Sequence, residues 1–172
     1  MEQWPEKELK VHVMKSDFGT STEKIIQVEG PEDMPQEICI RSLCDAFGQE
    51  EELTEARLTA LLQQIRGGKS LGIYLSNNLE EGYFQLELNR GWICMQLVQE
   101  LGTSRECFYS SFDPAYLDSD EESPMECSDG QSIILMRYIM HDLELAARCV
   151  EYYARTGWLY PGTRWLKGGK GS

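Results

Sequence analysis

Three kinds of hydrophobic spacing run along the chain, and they predict most of its elements. The segment 8–16, "ELKVHVMKS", alternates apolar and polar positions at Leu9, Val11 and Val13, as a half-buried strand does. "EKIIQVEG" (23–30) reads as its partner, with "SDFGTST" (16–22) as a turn-rich connector. In "PEDMPQEICIRSLCDAFG" (31–48), Ile40, Leu43, Cys44 and Phe47 fit helical spacing, and Gly48 supplies a stop, so a helix is expected there. "LTEARLTALLQQIRGG" (53–68) is a clearer helix. Thr54 can cap it, Leu53 can pack on Leu58 across the cap, and Leu58, Leu61, Leu62 and Ile65 form the buried stripe before Gly67.

Period-two spacing returns in "SLGIYLSN" (70–77), "GYFQLELN" (82–89) and "GWICMQLVQE" (91–100), separated by short Asn/Gly turns. This predicts an antiparallel meander, with "ECFYSSF" (106–112) as a fourth strand. A polar insertion follows at 113–131, and "SIILMRYIM" (132–140) is apolar enough for a central strand. The last helix is expected from Leu143 to Arg155, capped by Asp142 and ended by Gly157. After the proline turn at Pro161, Trp165 is expected to fold back as a lid on the core, and the tail 167–172 to be flexible. The expected class is α+β: a single domain over 1–172 with a central, mostly antiparallel sheet and flanking helices.

Composition narrows the function. Sixteen Lys and Arg against 29 Asp and Glu give a net charge of −13. That disfavours direct binding to nucleic acid or to anionic membranes and suits a basic protein partner. No apolar run is long enough to cross a bilayer, and the N-terminus lacks the basic-then-apolar order of a signal peptide, so a cytoplasmic location is expected. The six cysteines form no CxxC pair, and the two histidines, His12 and His141, stand alone in the sequence. A reduced compartment is expected, with no metal and no cofactor.

Motifs with chemical meaning are weak. "GGKS" (67–70) resembles the end of a phosphate-binding loop, but Gln63 occupies the place of the first glycine and the helix precedes the loop. "DSDEES" (118–123) alternates oxygen ligands, but Ser123 and Asp129 stand where a calcium loop needs Gly and Glu. The most unusual feature is electrostatic. From Glu106 to Met136 there are eight acids and no Lys, Arg or His. A solvated loop accounts for such a run. A docking surface for a cationic protein accounts for it equally, and for the apolar residues inside it. The candidate contact residues are Tyr116, Leu117, Asp118, Asp120, Glu121, Glu122, Met125 and Glu126.

The C-terminal stretch adds a resemblance. A helix carrying Tyr152 and Tyr153, then Thr156-Gly157, a short gap, Pro161 and Trp165, resembles the closing motif of the first-numbered family of bacterial polymorphic-toxin immunity proteins. The resemblance spans about residues 70–166. It implies a non-catalytic α+β domain that binds and blocks a cognate toxin, often a deaminase or nuclease. Such a toxin is basic around its nucleic-acid cleft. A second reading is a small enzyme, with Cys94 or Cys107 within reach of His12 or His141, or with a carboxylate-based site. A third is a general protein-binding adaptor.

Overall fold

The structure, a computed structural model, describes residues 5–16 and 19–169. Among these residues nine strands form one sheet: β1 (Glu6–Ser16), β2 (Gly19–Val28), β3 (Ser42–Asp45), β4 (Glu50–Glu52), β5 (Leu71–Asn78), β6 (Gly82–Asn89), β7 (Trp92–Gln99), β8 (Cys107–Ser110) and β9 (Arg164–Gly169). Their order across the sheet is β1-β2-β9-β8-β7-β6-β5-β3-β4, and every pairing is antiparallel. Two helices, α1 (Glu55–Arg66) and α2 (Leu143–Thr156), complete the α+β fold. The sheet dominates it.

The expected meander is present as β5–β8. Its in-register pairs Ile73–Leu86–Met95 and Leu75–Phe84–Leu97 put large apolar side chains on one face. That face shares one core with Leu58, Leu61, Leu62 and Ile65 of α1 and with Ala146, Ala147, Val150 and Tyr153 of α2. Both helices are capped as expected. Thr54 accepts from the Arg57 N–H and Asp142 from the Leu145 N–H, while Gly157 ends α2 at φ 74°, in the left-handed region that glycine enters without steric cost. Leu53 and Leu58 are buried in the same core, where the cross-cap contact was expected. Gly67 ends α1, so "GGKS" lies at a helix C-terminus, the wrong end for phosphate.

Four expectations are corrected. Segment 31–48 forms no helix. It contains Pro31 and Pro35, and its amides find partners outside a helix: Cys39 and Ile40 N–H both donate to the Ala154 carbonyl at the end of α2. Leu43 and Cys44 then enter β3, and Phe47 is left 80% exposed at the turn. Segment 132–140 is not a strand. It makes only isolated bridges, Glu122 with Leu135 and Ile93 with Met140, around one 3₁₀ turn at Met136–Tyr138, because it lies over the sheet. In β1 the alternation is real, but Leu9, Val11 and Val13 are 42–51% exposed and His12 is buried. β1 is an edge strand, and a bulge between Glu8 and Lys10 shifts its register.

The fourth correction concerns the C-terminus. Trp165 is fully buried, but not as a lid: it lies in β9, which pairs with β2 on one side and β8 on the other. Its indole N–H donates to the Tyr160 carbonyl at 3.2 Å. Residues 167–169 of the supposed flexible tail belong to this strand, while 170–172 lie outside the described residues. In the 16–22 connector, Gly19–Thr22 belong to β2 and Asp17 and Phe18 lie outside the described residues.

Trp165→Ala is therefore expected to remove ~3–5 kcal/mol of stability, measured by denaturant unfolding. An unchanged midpoint would show that this side chain does not hold β9 in the sheet.

Candidate partner-binding surface

The acidic insertion is a second layer on the sheet face opposite the helices. It closes on itself where Ser123 N–H donates to the Ile134 carbonyl (2.8 Å) and Met136 N–H to the Glu121 carbonyl (2.9 Å). Asp113 caps its first turn through the Ala115 N–H. Asp129 accepts from the amides of Gln131 and Ser132 and from the Ser132 hydroxyl, and these bonds hold its carboxyl below the usual range. Beneath, Met125, Cys127 and Ile139 form a small buried cluster with Trp92, Cys94, Tyr116 and Ile134 packed against it.

Polar contacts pin the layer along its length. Ser128 donates from its amide (3.0 Å) and its hydroxyl (2.6 Å) to Glu87 of β6. The Glu126 amide donates to Asn89 Oδ1 at 3.1 Å. On β1 and β2, the paired residues His12 and Glu23 are both buried. His12 Nε2 donates to Asp118 Oδ1 at 2.8 Å, and Glu23 takes the buried Arg137 as an ion pair and the Tyr138 hydroxyl at 3.2 Å. At the far end, His141 Nδ1 lies 2.8 Å from the Gly91 carbonyl. A carbonyl only accepts, so Nδ1 carries the proton, and in the neutral ring Nε2 accepts from the Tyr116 hydroxyl at 2.9 Å.

The candidate residues therefore divide. Asp118, Asp120, Glu121, Glu122 and Glu126 are exposed, and Tyr116 and Leu117 are half-buried among them. Met125 is only 6% exposed and packs downward, so it serves the fold and drops out as a partner anchor. Ile133, 61% exposed, takes its place on the surface. The sequence hid Ile133 inside an apolar run that reads as core. The motif residues at the C-terminus lie elsewhere. Tyr153 stacks on Phe84 with ring centroids 5.0 Å apart, Gly157 turns the chain, the Pro161 carbonyl accepts from Gln27, and Trp165 enters β9.

The thiol chemistry weighed from sequence meets an obstacle. Burial, with Cys127 and Glu87 nearby, pushes the Cys94 thiol up to about 12, and burial raises Cys107 as well. A thiol so shifted supplies little thiolate near neutral pH. Both histidines spend the contacts described above on Asp118, Gly91 and Tyr116. Among the described residues, no group of three His, Cys, Asp or Glu side chains is arranged to hold a metal ion. Comparison with family models, curated proteins and solved structures gives no match to this chain.

Two measurements test how the layer is held. A Cβ on Gly72 would lie 1.9 Å from Ser128 Oγ and 2.6 Å from Glu87 Oε1. Gly72→Ala is expected to lift the insertion, so proteolysis between residues 113 and 135 should quicken while the sheet's circular dichroism persists. Burial raises the Glu87 carboxyl above its ordinary 4.5, against the opposing pull of the Ser128 bonds. The folded state then holds that proton more tightly than the unfolded chain, so the Glu87 contribution to stability falls as pH rises through the window above 4.5. The stability of wild type relative to Glu87→Gln should fall over the same window, and a constant difference would refute the assignment.

Proposed function

We propose that the chain is a binding protein that occludes a cationic protein partner, acting as an immunity protein acts on its toxin and performing no catalysis itself. The observation that carries this reading is the acidic layer. Five exposed carboxylates, at Asp118, Asp120, Glu121, Glu122 and Glu126, sit on a segment whose underside is packed and hydrogen-bonded to the sheet. A surface already held in shape loses little conformational entropy when it docks. Its field would attract a basic cleft, and Tyr116, Leu117 and Ile133 offer apolar contacts among the charges. The resemblance of the C-terminal motif to immunity proteins suggests the kind of partner: a toxin domain that grips nucleic acid and is basic where it does so. On this reading the chain works in the cytoplasm of the cell it protects, without cofactor, and contacts no nucleic acid directly. Among the described residues no helix is long and apolar enough to cross a membrane.

The test is a titration of the purified protein against the toxin-like product of the adjacent gene, at low and high salt. Tight binding that weakens with salt, together with loss of the partner's activity, supports the proposal. Asp120, Glu121, Glu122 and Glu126 would then be neutralised together, sparing Asp118 because it holds His12. Association should slow ~10-fold or more and lose most of its salt dependence. Unchanged association kinetics would remove the acidic layer from the interface.

A further inference from the structure

One feature that the proposed function leaves unused is a cavity of about 540 Å³ between the end of β8, the start of α2 and the start of β9. Such a volume suits a small organic molecule. Its floor is apolar and buried: Met95, Met140 and Trp165, with Leu145 beside them. Two polar residues of the wall are already committed. Ser111 accepts from the Met95 N–H and donates to the Tyr138 carbonyl, and His141 bonds Gly91 and Tyr116. Recognition falls to three charged residues brought together from three elements.

Asp113 and Asp142 each use one carboxylate oxygen as a cap, toward the amides of Ala115 and Leu145, both at 2.9 Å. Among the described residues, neither second oxygen has a protein partner. Arg164 lies over the Phe112 ring, 5.7 Å from its centroid, and makes no ion pair among the described residues. The cavity thus joins an apolar floor to charges of both signs with hydrogen-bonding capacity to spare.

We infer that this cavity binds a small zwitterion with an apolar body, an α-amino acid with a large apolar side chain. The ligand carboxylate pairs with Arg164, its ammonium with Asp113 and Asp142, and its side chain covers the floor. A purely cationic ligand would meet Arg164, a purely anionic one would meet two carboxylates, and an uncharged one would desolvate all three without return. The two methionines adapt to aromatic side chains through favourable sulfur–ring contacts. None of the residues proposed to contact the protein partner lines this cavity.

Three probes separate the alternatives: L-phenylalanine, L-phenylalaninamide, which lacks the carboxylate, and N-acetyl-L-phenylalanine, which lacks the ammonium. Each is titrated to ~10 mM, enough to reach millimolar affinity, while the Trp165 indole and the Leu145 and Thr163 amides are followed by NMR. The expected result is saturable shifts with phenylalanine and at least ~10-fold weaker binding of both analogues, one charged contact being lost in each. Arg164→Gln should erase the preference over the amide. Asp113→Asn with Asp142→Asn should erase the preference over the acetyl analogue, because the retained amide oxygens still cap their turns. No saturable shift with phenylalanine, or equal binding of all three probes, overturns the inference. Tighter binding of phenylalaninamide overturns it in favour of a cationic side chain as the occupant.

Discussion

Everything in this fold depends on the pairing of β9 between β2 and β8. Four residues of β2 and four of β8 are in register with it, and among the described residues no other strand links the β1–β2 hairpin to the meander. Without β9 the sheet would fall into two pieces, one of them a two-stranded hairpin too small to be stable alone. Trp165 fixes the strand in place. It is buried among the side chains of the helix-side core, with its ring centroid 6.4 Å from that of Phe84. The approach to β9 is equally constrained. Gly162 passes so near the Tyr160 ring that a Cβ there would lie 2.4 Å from it. The last segment of the chain thus closes contacts with the first, a long-range constraint that local pairing rewards only after a large loop has been closed.

The same joint positions the acidic layer. Because β9 brings the hairpin alongside the meander, Glu23 and His12 lie where Arg137 and Asp118 can reach them. Burying Glu23 and Arg137 carries a desolvation cost that their mutual attraction and the Tyr138 hydroxyl offset. An apolar patch of similar size would hold the segment with less directional preference. The charged pair and the hydrogen bonds of Glu87 and Asn89 instead specify one placement over the sheet. The outcome is a sheet with helices on one face and a thin, negatively charged layer on the other. Its carboxylates face solvent because the apolar residues interleaved with them, Met125 and Cys127 above all, are drawn down to Trp92 and Cys94.

How far the sequence could be read follows from the range of each interaction. α1 and α2 were legible because period, cap and stop lie within a few residues of one another, and the helix bonds are local. The meander was legible because its strands are neighbours in the chain joined by short turns. The acidic surface was legible because exposed charge needs no partner to be recognised, whereas Met125 and Ile133 exchanged roles according to which way the loop folds over the sheet.

The sequence by itself determined the two helices, the antiparallel meander and the strongly negative charge, since each is encoded by residues close together. Only the tertiary structure decided that 31–48 stays irregular against α2, that 132–140 overlies the sheet, and that β1 shows its aliphatic residues to solvent. It also decided that Trp165 belongs to a central strand, and that Asp113, Asp142 and Arg164 share one cavity. The reason is common to all of these. An apolar or charged residue records only that it prefers burial or a counter-charge. Which surface satisfies that preference is fixed by a partner that is distant along the chain, and local spacing carries no trace of it.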